Sequence, residues 1–230
     1  MKNQENQKLI FQRLSEKSAT KFHVYDNTLD AFKKLKKRSN EISVLTKKEI
    51  SKVNKAIPID IKEKGKFGFE LKFAGDLLVA TMHTNVFEFP RNNEVMKTSY
   101  VKEDPMRSYC GIISMYNFLA DSFKYNRVND VGYLIGRIFI NKENHFFVEG
   151  KRQIGFLFNN FVNDTVNDEA LKKIIESAIL YCIDFDLLTP PYDNVKEVSV
   201  QEMRLLTSSL SLKTGKRLGF KFQADYDDIV

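Results

Sequence analysis

Apolar positions along the chain follow three rhythms in turn. Near the N-terminus they are sparse and fall at helical intervals, between residues 57 and 161 they alternate with polar ones, and from Asp168 the helical interval returns. The period decides the element, because a helix repeats its face every 3.6 residues and a strand every two. Asp168–Phe185 therefore predicts a helix. Leu171, Ile174, Ile175, Ala178, Ile179, Cys182 and Ile183 line one side of it, and Lys172, Lys173 and Glu176 stay outside, the stripe of a helix laid across a sheet.

The alternating region predicts strands at Ile57–Lys64, Lys66–Phe73 and Leu77–Phe89, punctuated by Gly65 and by Ala74-Gly75-Asp76. In the third, Val79, Thr81, His83, Asn85, Phe87 and Phe89 share one face, and Leu78, Ala80, Met82, Thr84 and Val86 share the other. Both faces are mixed, which predicts a strand that is central or covered on both sides. Left at an edge, so long a strand would invite pairing between subunits, so the oligomeric state stays open. Glu94–Arg107 reads as a polar connection with room for an edge strand, and the first half of Ser108–Phe123 as a strand. Val131–Ile140 and His145–Ile154 flank Asn141-Lys142-Glu143-Asn144, and asparagines tolerate the left-handed backbone of tight turns, so this stretch predicts a β-hairpin.

The flanks read as helical. Leu9, Ile10 and Leu14 predict a short helix or loose arm over Gln7–Lys17, and Asp26 reads as the N-cap of a helix at Asn27–Arg38. A second helix is expected from Thr46 or Lys47 to Asn54, and a short helical piece at Phe156–Phe161. Val198–Leu212 predicts one more, with Ser199 and Glu202 spaced as a capping box, followed by a strand at Gly215–Phe222 and an acidic tail. Helices, then strands, then helices indicate an α+β fold: one domain with a largely antiparallel sheet of about five to seven strands, covered by the C-terminal amphipathic helix, with N-terminal helices. Residues 1–55 form its basic helical segment, 56–160 its sheet and 161–230 its helical C-terminal part.

Composition narrows the class. The 230 residues are 43% hydrophobic and 29% charged, with two cysteines and no tryptophan. No apolar run approaches the roughly 18–20 residues that cross a bilayer. The first residues lack the apolar core of a secretory signal, so a cytoplasmic protein without a membrane partner is expected. Cys110 and Cys182 sit in apolar patterns and read as buried free thiols. The formal charge of +6 is lopsided: residues 1–75 carry 18 basic against 9 acidic side chains, a net +9, and the remainder a net −3. Lys33, Lys34, Lys36, Lys37 and Arg38, with Arg152 farther on, are the candidate binding residues for an anionic partner.

Two functions follow. The first is a non-enzymatic interaction module that engages a protein or an anionic partner, nucleic acid included, without a cofactor. The second rests on Asp130, Glu149 and Lys151, whose D…ExK order resembles the core of the PD-(D/E)xK nucleases. That resemblance implies two carboxylates holding Mg²⁺ and a lysine orienting water toward a phosphodiester. The chain departs from the family pattern at Asn129, where the family has proline, and [DE]xK also occurs at Asp60-Ile61-Lys62 and Glu70-Leu71-Lys72. His23, His83 and His145 are too scattered for a zinc site. Phe and Tyr total 28, and those near the hairpin are either core or a stacking surface.

Overall fold

The computed structural model describes residues 2–207. Its helices are α1 (Lys2–Arg13), α2 (Ala19–Val53), α3 (Ser99–Glu103), α4 (Ala120–Lys124), α5 (Ile154–Leu157), α6 (Asp168–Ile183) and α7 (Val200–Thr207). Its strands are β1 (Ile59–Glu63), β2 (Gly68–Phe73), β3 (Asp76–Met82), β4 (Phe87–Glu88), β5 (Tyr109–Leu119), β6 (Tyr133–Asn141) and β7 (Phe146–Gly150). All pair antiparallel in the order β1-β2-β3-β5-β6-β7, with β4 also on β5. The fold is thus α+β, built on a sheet whose strand order follows the chain.

Helices α2 and α6 pack on one face of this sheet and on each other. Val24, Thr28, Ala31, Phe32, Leu35, Ser39 and Ser43 form the buried stripe of α2, and Ala170, Leu171, Ile174, Ile175, Ala178, Tyr181 and Cys182 that of α6. They meet Phe69, Leu71, Leu78, Ile113, Ile138 and Val148 in one core. Small residues let α2 come close: a Cβ on Gly111 of β5 would lie 2.1 Å from Thr28 Oγ1. The hydroxyls buried by this approach donate to carbonyls one turn back, Thr28 to Val24 at 2.6 Å and Ser39 to Leu35 at 2.9 Å.

Where three N-terminal helices are expected, a single rod stands. A π-helical turn, Leu14–Ser18, joins α1 to α2 without a break, a length of roughly 78 Å at 1.5 Å per residue. Asp26 is an exposed mid-helix residue, not a cap, because the stripe from Val24 onward is already on the sheet. The rod leaves the body where Lys17 and Lys21 lie over the Tyr109 ring, and residues 4–17 are all exposed.

Other boundaries shift for local reasons. The strand expected through Phe89 ends at Met82, where the His83 ring accepts from Asn85 N at 2.9 Å and turns the chain into β4. Glu94–Arg107 forms no strand; Asn93, Thr98 and Asp104 cap a 3-10 turn, α3 and a second 3-10 turn. Between the hairpin and α6, helicity is limited to Ile154–Leu157. Ser199 and Glu202 do exchange the two bonds of a capping box at α7, and the expected strand at Gly215–Phe222 lies outside the described residues.

Candidate binding surface

The second face of the sheet is covered only in part. Val95, Tyr100 and Val101 fold back over it with Phe89, and with Cys110, Phe139, Phe147 and Phe161 they make a separate aromatic cluster. Phe139 and Phe147 stack at 4.9 Å beneath Phe89. Beyond this cover the face carries half-buried Lys72, Val79, Thr81, Ser114, Tyr116 and Arg137, and Leu134 is 40% exposed.

At the β1–β2 end that face dips into a hollow of about 350 Å³ under α4, lined by Asp60, Lys62, Lys64, Glu70, Lys72 and Lys124 with Leu77 and Phe123. Register assembles it. Asp60 lies opposite Lys72 and Lys62 opposite Glu70, so the two D/ExK triplets of adjacent strands cross their charges on one face. Lys64, at the hairpin, reaches Glu70 at 3.2 Å, and Lys124 arrives from α4, its ammonium 4.7 Å from the Tyr125 ring centre. Tyr125 pushes the pKa of Lys124 up, so this ammonium stays charged. Four lysines thus face two carboxylates, a local excess of two positive charges.

The residues singled out from sequence are not gathered here. Lys34 pairs with Asp30 at 2.7 Å and Arg38 with Glu41 within the helix, while Lys36 pairs with Glu63 at 3.0 Å and Arg38 with Asp168, two ties that anchor the rod to β1 and α6. Lys33 and Lys37 are exposed on its outer side. Arg152 sits at φ 48° with its guanidinium 5.7 Å from the Tyr181 ring centre. Glu149 faces Arg137 across β6–β7 and is ion-paired with it. Asp130 accepts from Ser122 at 2.7 Å in the loop before β6, seven residues ahead of Arg137. The strand from Tyr133 to Arg137 alone runs roughly 13 Å at about 3.3 Å per residue, so Asp130, in the loop before it, does not stand opposite Glu149 as a carboxylate sharing an ion would. Lys151 lies past the end of β7, in the turn to α5, so it does not share a strand face with Glu149. Among the described residues no group of three His, Cys, Asp or Glu stands close enough to hold a metal ion, and no helix is long and apolar enough to cross a membrane. Both cysteines are buried and neither is in a disulfide, and burial pushes the Cys110 thiol up, away from reactivity.

A second polar cluster has a structural task. Asn141, fully buried at the hairpin turn, accepts from the amides of Glu143 and His145 and donates to Tyr100 Oη at 2.9 Å. Tyr100 Oη donates to Glu143 at 2.8 Å, Arg107 donates to Glu143 at 3.1 Å, and Lys142 pairs with Asp104. These bonds hold the Asn93–Ser108 cover on the hairpin. Lys142, then the Met106 amide, holds the Asp104 carboxyl below its ordinary value, against the pull of burial. For Glu143 burial acts upward, but Tyr100 and Arg107 outweigh it and the net shift is downward. A depressed carboxyl contributes stability that is present above its unfolded value and lost as pH falls through the folded one. The cover is therefore held fully above the ordinary values of 3.8 and 4.5 and loosens below them. Amide exchange should show residues 94–103 losing protection below about pH 4 while β5 and β6 keep theirs; simultaneous loss would place the weak point elsewhere.

Comparison with protein-family models, with curated proteins and with solved structures finds no match for this chain.

Proposed function

We propose that the protein is a binding module whose uncovered sheet face takes an anionic ligand, with the lysine-lined hollow as its anchor. The observation that carries this reading is the excess of ammonium groups: Lys62, Lys64, Lys72 and Lys124 stand against only Asp60 and Glu70, so with Glu70 held by Lys64 two positive charges remain to attract a phosphate or carboxylate. The hollow is within the size range of small-ligand sites, and Leu77 and Phe123 supply an apolar wall. Outward from it, Val79, Tyr116 and Leu134 extend a surface for the rest of the ligand. The carboxylates of the D…ExK set are apart, Asp130 held by Ser122 and Glu149 by Arg137.

Anisotropy titrations with a labelled twelve-nucleotide thymidine strand and a labelled decaglutamate peptide test the reading. One of them should bind the wild type, with affinity falling as salt rises. In the Lys62→Gln/Lys124→Gln variant the affinity should drop roughly tenfold or more and, for the strand, the log–log salt slope should shrink by about 1.4, the share of two phosphate contacts. Binding unchanged in the variant, or absent for both probes in the wild type, defeats the assignment.

A further inference from the structure

The hollow holds carboxylates among its ammonium groups, and they are not alike. Glu70 is occupied, paired with Lys64 at 3.2 Å. Asp60 and Lys72 stand opposite one another across β1 and β2 without forming an ion pair, and among the described residues Asp60, Lys62 and Lys72 have no other ion-pair partner. One open negative head and two open positive ones thus line the same hollow, with Lys124 beside them. A run of carboxylates, as in an acidic peptide, would meet Asp60 as a like charge.

An apolar surface continues the row. Lys72 lies opposite Leu77 of β3, and Leu77 opposite Phe118 of β5, whose ring meets that of Phe123 edge to face at 5.2 Å. Phe123 lines the hollow and is 47% exposed, so its ring is open to a flat partner. Asp60, Lys72 and Leu77 follow one another at strand spacing, so carboxylate, ammonium and apolar floor lie within roughly 10 Å.

The order of these groups names a ring. A carboxylate only accepts, through two oxygens, and an ammonium only donates. Side by side, Asp60 and Lys72 match a planar edge that gives two hydrogen bonds and takes a third next to them. Guanine has that edge, because its N2–H and N1–H donate and its O6 accepts. Adenine and cytosine set a single donor beside acceptors, and thymine and uracil set one between two, so each would turn a lone pair toward the Asp60 carboxylate. We infer that the hollow takes a guanine nucleotide, an assignment that rests on the anchor reading above. The base lies on Leu77 and Phe123, its edge spans Asp60 and Lys72, and its phosphate meets Lys62 and Lys124. A free nucleotide and a guanosine within a single strand, whose bases are open on this edge, present the same chemistry.

Anisotropy titrations test it with the labelled twelve-nucleotide thymidine strand and the same strand carrying one central guanosine, on the wild type and on Asp60→Asn. Asp60 is exposed on the edge strand of the sheet, so the change leaves the fold in place. The guanosine strand should bind the wild type roughly tenfold tighter, the discrimination of one good bidentate base contact. Asp60→Asn should cut that preference to about twofold or less while binding the thymidine strand at least as well as the wild type does, since a like charge is gone. A carboxylate acting only through its field would shift both strands alike. Equal affinity for the two strands, or a preference that survives Asp60→Asn, overturns the guanine assignment and leaves the lysine anchor standing, as does binding of the decaglutamate peptide alone. No binding of either strand or of the peptide removes anchor and assignment together. Unlabelled guanosine and adenosine monophosphates separate the sources. Displacement of the strand by the first and not the second assigns the site to the free nucleotide; failure of both to compete, with the strand preference intact, assigns it to guanosine in a strand.

Discussion

Phe32→Ala is expected to lower the unfolding free energy by about 3–5 kcal/mol, the range for emptying an aromatic site in a packed core. Phe32 is 1% exposed, sits midway along the buried stripe of α2, and meets the Phe69 ring of β2 at 5.7 Å. It is among the largest fully buried side chains, so its removal empties the seam between rod and sheet at its centre. The loss combines transfer and cavity terms, because neighbours held by the strand ladder do not collapse into the space. Urea unfolding followed by circular dichroism should show the midpoint falling with the slope unchanged. Phe22→Ala in the same helix, at an exposed position, should shift stability by no more than about 0.5 kcal/mol. Equal effects at the two positions would mean that α2 does not dock as described.

Gly111→Ala carries the second large effect, from the opposite cause. The added methyl would lie 2.1 Å from Thr28 Oγ1 and 2.8 Å from both Thr28 Cβ and Cγ2, so rotation of the threonine does not relieve it. The helix must rise off β5, and overpacking of this kind costs about 1–3 kcal/mol, here at the upper end. A double-mutant cycle identifies the mechanism. Thr28→Ala removes the hydroxyl and Cγ2, so Gly111→Ala should be less harmful in that background, with a coupling of about 1 kcal/mol or more. Additive effects would rule out the helix–sheet contact as the source.

The α+β class was legible because two segments advertise themselves. The stripe of α6 keeps the helical interval from Leu171 to Cys182, although Ile183, read into it, is 52% exposed and Tyr181 is buried instead, and Asn141 and Asn144 mark the hairpin, Asn144 indeed at φ 60°. The rod was not legible, because its docking stripe is half disguised: Thr28, Ser39 and Ser43 read as polar, yet they are buried because a helix that crosses a sheet closely needs small side chains there. The short helices after Asn93 had a readable signal in the caps Asn93, Thr98 and Asp104, which lost to the expectation of an edge strand. The hollow was half readable. Its triplets at Asp60 and Glu70 stand in the sequence as repeats of the D/ExK pattern, but only the β1–β2 register crosses them on one face, and Lys124 joins from a segment about fifty residues farther on.

The packing of α2 against α6 also sets a schedule. The sheet grows between neighbours along the chain, whereas the core face of α2 is completed by a helix that ends 130 residues later, at Ile183. At about 5–20 residues per second, roughly 6–26 s of synthesis separate the two. Through that interval Val24, Phe32 and Leu35 wait on a nascent helix with part of their cover still unmade, so this stripe keeps apolar surface open to water until α6 has emerged.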